Sequence, residues 1–224
     1  MSQLSLRLQR LAPSATLAMS QKSSEMKVRG IDVINMSVGE PDFNTPDHIK
    51  EAAKKAVDDN YSRYSPVPGY MDLRQAISDK LKRENQLEYS PAEILVSNGA
   101  KQSVCNTILA LVNPGDEVII PAPYWVSYPQ MVLLAGGNPV FVEATFEQNF
   151  KMTPEQLEKA ITPKTRISSS ARPATPQVLY IIKRNYARSQ TLYYLIRIST
   201  CWPTKSMSTS ITWAAMSPSL SSPA

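Results

Sequence analysis

The sequence predicts an α/β fold over residues 1–166, a mostly parallel sheet flanked by helices. Two observations predict it. Between residues 93 and 145 strand-like and helix-like segments alternate, and the links between them are only a few residues long. A strand–helix–strand unit returns the chain to its starting edge, so successive strands run parallel, with right-handed crossovers. A third observation bounds the prediction. All 19 Asp/Glu and all seven Gly lie at or before Arg166, whereas residues 167–224 hold no Asp, Glu, Gly, Phe or His, but twelve Ser and six Lys/Arg. A folded domain needs turn glycines and mixes both signs of charge on its surface.

The elements follow in order. Residues 1–30 are polar with scattered apolar positions, among them Leu4, Leu6, Leu8 and Leu11, and read as an arm or helix that packs on another surface. Ile31–Val38 is a short β-like run that ends in the turn cluster Gly39-Glu40-Pro41-Asp42-Phe43. Thr45 and Pro46 suit the N-cap and first position of a helix reaching about Asp58. Tyr61–Tyr70 is a loop, and Leu73, Ile77 and Leu81 then recur at helical spacing. Glu93–Ser97 reads as a strand, Asn98-Gly99-Ala100 as a tight turn, and Lys101–Val112 as a helix with a stripe through Val104, Ile108 and Leu111. Glu117–Pro121 is a buried strand, Trp125–Ala135 a helix closed by Gly136-Gly137, and Pro139–Glu143 a further strand. Thr153-Pro154-Glu155-Gln156 is a capping box that opens the last helix.

Charge excludes less than it first suggests. The net charge of +5 splits into 18 Lys/Arg against 19 Asp/Glu before residue 167 and an uncompensated +6 after it. The front therefore carries no phosphate-backbone footprint, and the basic excess belongs to the tail. Two cysteines, Cys105 and Cys201, make no disulfide framework and fit a reducing compartment. The N-terminus lacks the apolar core of a signal peptide, and no apolar run is long enough to span a bilayer, so a cytoplasmic protein without membrane or nucleic-acid partners is expected.

Chemistry concentrates at two turns. Ser97-Asn98-Gly99-Ala100-Lys101 lies where a strand meets a helix, and glycine there lets backbone approach a ligand closely. The free amides of the helix start attract an anion, and Lys101 adds a positive charge. An ordinary turn with a solvated lysine is the alternative reading. Tyr124-Trp125 follows the next strand at its C-terminal end, where ligands sit in open α/β sheets; the indole suits stacking on a flat ring, or serves as a core aromatic. His48, the only histidine, falls in a first helical turn and suits capping or solvation. Cys105 falls within an apolar helix and reads as a small hydrophobe. With one histidine, neither a Cys/His or Ser/His/Asp system nor a His-based metal site is supported.

Four segments carry a resemblance. Ser37-Val38-Gly39-Glu40-Pro41-Asp42-Phe43, Arg63-Tyr64-Ser65-Pro66-Val67-Pro68-Gly69, Asn98-Gly99-Ala100-Lys101-Gln102 and Pro123-Tyr124-Trp125-Val126-Ser127-Tyr128-Pro129 occur in order and at family spacing. Together they resemble the class I, fold type I aminotransferases that use pyridoxal 5'-phosphate, and the bacterial aspartate aminotransferases among them. The resemblance implies a homodimeric α/β enzyme that exchanges an amino group between an amino acid and a 2-oxo acid, with aspartate and 2-oxoglutarate as the expected pair. Other fold type I enzymes, a carbon–sulfur lyase or a kynurenine-type aminotransferase, are the alternatives within that fold. It also implies the layout: 1–44 as N-terminal arm and part of a small domain, 45–166 as an incomplete cofactor-binding large domain, and 167–224 as a tail outside the family. By position, Gly99, Ala100 and Lys101 would bind the cofactor phosphate. Trp125 would stack on the pyridine ring and border the substrate, Tyr64 would reach the phosphate of the partner subunit's cofactor, and Gly39 would meet the substrate carboxylate.

The tail hides what the family would place next. Read from the third base of each codon, Cys201–Ser208 permits Leu-Ala-Asp-Glu-Ile-Tyr-Glu, whose Asp in the family holds the pyridine nitrogen protonated. Ser170–Val178 permits, in the same frame, Cys-Ser-Pro-Ser-Asn-Pro-Thr-Gly, whose Asn contacts the cofactor's phenolic oxygen. Two motifs fitting in order and in one frame imply a net loss of one base, or gain of two, near the codons for Lys164–Ile167. The expectation is an inactive, truncated chain whose tail does not fold cooperatively, since the family's catalytic lysine and its C-terminal substrate-binding arginine have no counterpart before Ala224. A basic-tailed, nucleic-acid-associated product is the reading of a different class.

Overall fold

A computed structural model describes residues 4–37, 43–170, 177–185, 190–200 and 209–214, the last three segments and Ser170 by backbone alone. The N-terminal region forms α1 (Leu6–Gln9) and α2 (Ala15–Val28), whose start is capped by the Ser14 side chain accepting from the Leu17 N–H. It packs on its own chain: the Arg10 guanidinium donates to the carbonyls of Gly136 and Gly137, and the Ala12 N–H donates to Gln130 Oε1 at 3.1 Å. Residues 31–37, expected as a strand, form none, and Ile34 and Met36 are largely exposed. Apolar alternation makes a strand only where a neighbour completes the hydrogen-bond ladder.

Helix α3 (Asp47–Asp58) begins one residue later than expected. Pro46 itself is the N-cap, with extended ψ of 143°, and its carbonyl accepts from Ile49 and Lys50. Helix α4 (Met71–Asn85) buries Ile77 and Leu81 against strand β1 (Ile94–Ser97). Then come α5 (Ala100–Leu111), β2 (Glu117–Ala122), α6 (Ser127–Leu134), β3 (Asn138–Glu143), α7 (Pro154–Ala160) and β4 (Thr165–Ser170). The capping box opens α7 as predicted: Thr153 Oγ1 accepts from the Gln156 N–H, and Gln156 Oε1 from the Thr153 N–H. The main core lies between α5, α6 and the sheet, where Val104, Ile108, Val118, Ile120, Val132 and Ile167 are buried together.

The sheet order is β1-β7-β6-β5-β4-β2-β3, with β5 at Gln177–Asn185, β6 at Gln190–Thr200 and β7 at Thr209–Ala214. Two features of the sheet stand out. The pairings among the front strands, β2 with β3 and β2 with β4, are parallel as expected; the four antiparallel pairings all involve β5, β6 or β7. The second concerns the tail, expected to stay unfolded, which supplies three strands between β4 and β1. Runs such as Val178–Ile182 and Leu192–Ile196 are rich in β-branched and aromatic residues, and the open edge of β4 offers them a ladder. Four antiparallel steps separate β1 from β4, so β1, β2, β3 and β4 all point the same way. Their C-terminal ends lie on one sheet edge, and that edge carries the turns singled out above.

Candidate functional site

The turn after β1 has the geometry that its glycine predicts. Gly99 is the N-cap of α5 at φ 83° and ψ 160°, a region essentially closed to L side chains. Its N–H donates to the Ser97 carbonyl at 2.9 Å, and its carbonyl accepts from Ser103. The Asn98 N–H is taken by the Gln102 side chain, which folds back over the turn. Ala100 and Lys101 occupy the first turn of α5, so their N–H groups have no intrahelical acceptor. A Cβ built on Gly99 meets no atom within 4 Å, which leaves the outer side of the turn open. Beside it, Ser97 Oγ and Ser103 Oγ are buried without a hydrogen-bond partner among the described residues.

Trp125 lies between β2 and α6, outside the helix that was expected to contain it, and its carbonyl accepts from the Tyr128 N–H at 3.0 Å. The residue is 53% exposed. Lys101, Tyr124 and Trp125 border one cleft of about 790 Å³, walled on the other side by the linker Leu11–Ser14 and the start of α2. Strand adjacency does not bring them together, because four strands separate β1 from β2. The common strand direction and the packing of α5 on α6 do. None of the residues lining this cleft is a carboxylate, so Lys101 meets no acidic partner there.

Tyr64 projects from the loop before α4 and is fully exposed. The loop beneath it is held firmly. The Val96 N–H donates to the Pro68 carbonyl, and the buried Arg74 donates through its guanidinium to Gly69 O at 3.1 Å and Pro91 O at 2.8 Å. Gly39 lies outside the described residues. Cys105 is a free thiol whose pKa burial pushes up, in keeping with its reading as a small hydrophobe. Among the described residues no cluster of three metal-ligating side chains occurs, and no helix is long and apolar enough to cross a membrane.

Sequence reasoning missed the N-terminal linker as a wall of the cleft and the stacking of Tyr124 on Phe141, with ring centroids 4.9 Å apart and planes at 19°. The pattern Pro139, Phe141, Glu143 on one face of β3 was the signal available for the second.

Known proteins share this fold over most of the chain. The profile of the family described as aminotransferase class I and II matches residues 31–170. An aspartate/prephenate aminotransferase of Nitrosomonas europaea is 53% identical over 173 residues, 77% of this chain and 44% of the relative. An aspartate aminotransferase of a Bacillus species is likewise 53% identical over 173 residues. Among solved structures, the Thermus thermophilus aspartate aminotransferase with maleate superposes with a TM-score of 0.74 at 44% identity, covering 79% of this chain and 46% of that one. The aspartate aminotransferase of Rhizobium meliloti gives a TM-score of 0.71 at 41% identity. This chain spans less than half the length of these relatives. By the extent of the profile match, by sequence identity and by fold, the chain belongs to the aminotransferase class I and II family.

Proposed function

We propose that the chain holds pyridoxal 5'-phosphate at the sheet edge carrying Gly99 and Trp125, as part of an aminotransferase that exchanges the amino group of aspartate with a 2-oxo acid. The observation that carries this reading is the α5 start: the first-turn amides of Ala100 and Lys101 follow a glycine at φ 83°, and Lys101 lines one cleft with the half-exposed Trp125. The names of the relatives support aspartate, and prephenate as a further partner.

The residues present fit the phosphate end and one face of the ring. The amide dipoles and Lys101 would hold a dianion. Trp125 would cover the ring and shut out water on that side, and Gly39 would receive the substrate carboxylate. Tyr64, extended from its pinned loop, would serve a second subunit of a homodimer. When bound, the cofactor supplies the electron sink for the substrate's Cα–H bond. No residue before Arg166 is assigned to the cofactor aldehyde or to its ring nitrogen. Residues 167–224 are read as the out-of-frame continuation, supported by the family match ending at residue 170 and by the composition break. The site as it stands binds but does not turn over. With Cys105 as a free thiol, the cytoplasm is the compartment we assign.

Titration with pyridoxal 5'-phosphate, followed by borohydride reduction and peptide mass spectrometry, tests this. Saturable, reversible binding without a lysine adduct and without transamination is expected. A lysine adduct together with transamination refutes the inactive-site reading, and absence of binding refutes the cofactor site.

A further inference from the structure

Trp125 sits in a four-residue link, Pro123–Val126, between β2 and α6, where regular hydrogen bonding fixes its neighbours but not its own side chain. The Tyr128 N–H pins the Trp125 carbonyl from the helix side. On the strand side, the contact that holds the link is the face-to-face stack of Tyr124 on Phe141. Phe141 is placed rigidly for this. It lies mid-strand in β3, in register with Ile120, and residues 138–143 pair without interruption with 117–122. Phe141 and Tyr124 also border the same cleft as Trp125. Half of the Phe141 surface is exposed.

We infer that Phe141 is a positioning residue for the ring-stacking face of the site: through Tyr124 it fixes the link, and so the direction in which the Trp125 indole meets the cleft. The inference rests on the cofactor reading only for what Trp125 stacks against. The placement of Trp125 by Phe141 stands on the contacts alone.

The test uses the full chain with Trp202→Phe and Trp213→Phe, so that Trp125 is the sole fluorophore. Acrylamide quenching of Trp125 without ligand reads its placement, and quenching by added pyridoxal 5'-phosphate reads affinity. Loss of one stacked aromatic pair shifts such an equilibrium about two- to tenfold. Phe141→Leu is expected to raise the acrylamide quenching constant and to weaken binding by that factor, and Phe141→Tyr to restore both. Phe141→Leu added to Tyr124→Leu is expected to change neither further. Unchanged quenching in Phe141→Leu, failure of Phe141→Tyr to restore it, or additive effects in the double variant overturn the inference. If the parent chain does not bind the cofactor, the cofactor reading falls, and the acrylamide series alone decides the positioning role.

Discussion

Gly99→Ala probes the anion cup through a single methyl group. The structure separates its two possible costs. A Cβ at this position meets no atom within 4 Å, so packing contributes nothing. The backbone is the whole cost: at φ 83° and ψ 160° an L residue is strained by roughly 1–3 kcal/mol. Alanine also stiffens the unfolded chain, which returns about 0.4–1 kcal/mol. The net effect is about 1–2 kcal/mol, and it can surface in either of two ways. If the turn keeps its shape, the chain unfolds at lower urea concentration. If the turn relaxes to negative φ, the amides of Ala100 and Lys101 rotate away, and affinity for pyridoxal 5'-phosphate falls by roughly five- to thirtyfold instead. The sum of the two losses is the predicted quantity, read from urea unfolding and ligand titration on one preparation. Gly30→Ala is the control: φ is 77° and the space is equally open, but the residue follows the end of α2 and opens no helix start, so stability alone falls. A Gly99→Ala chain that unfolds and binds within about 0.3 kcal/mol of the parent refutes the argument that this turn needs its glycine.

Gly137→Ala inverts the cause: here the Cβ would lie 2.7 Å from Val112 Cγ1 and 3.2 Å from Asp116 O, so overpacking at the start of β3 should cost about 1–3 kcal/mol in denaturant unfolding. Arg74→Met should cost about 1–3 kcal/mol by leaving the carbonyls of Gly69 and Pro91 without their donor, and should loosen the Tyr64 loop to proteolysis. Tyr128 supplies a pH prediction. Burial pushes its phenol up to about 12 from 10.0, so between those values the unfolded chain loses a proton that the folded chain keeps. Stability contributed by the neutral phenol is complete below pH 10 and declines as pH rises toward 12. Tyr128→Phe should flatten that decline in unfolding curves taken across the range.

What the sequence made legible was local. Helix α5, strands β1 to β3 and the capping box of α7 follow from apolar spacing and turn residues within a dozen positions of each other, and they appear where those signals place them. Trp125 was legible as a residue at a strand's C-terminal end but not as one outside a helix, because helix starts depend on where unpaired amides find acceptors. The 31–37 run failed as a strand because a strand is a property of two chain segments, and periodicity describes only one. The stacking of Tyr124 on Phe141 was hidden for the same reason: seventeen positions separate the two in sequence, and only the parallel register of β2 with β3 brings them together. The tail is a different case. Absent glycines and acids argue against a cooperative domain, yet they do not stop β-prone segments from extending an open edge.

The shared direction of β1 to β4 supplies the last test. Each helical crossover in the front returns the chain to the same side, so the loops after β1 and β2, with their Gly99 and Trp125, open on one sheet edge. Strand β4 ends on that edge at Ser170. The shifted frame permits, from the third base of the Ser170 codon onward, a Cys-Ser-Pro-Ser-Asn-Pro-Thr-Gly segment. Its Asn would thus stand in the loop directly after β4, on the edge where the cofactor is proposed to lie, a placement that the codon comparison alone did not require. Restoring the frame near codons 164–167 should therefore raise affinity for pyridoxal 5'-phosphate by about tenfold or more, since one added hydrogen bond to a charged group contributes roughly 1.5–3 kcal/mol. The restored chain, ended at the same length, is compared with the parent by fluorescence titration. Asn→Ala in the restored segment should return the affinity to the parent value. If the restored chain binds no better, or if resequencing shows the reading frame intact across those codons and the tail essential for folding, residues 167–224 are a true part of the fold and the frame argument is wrong.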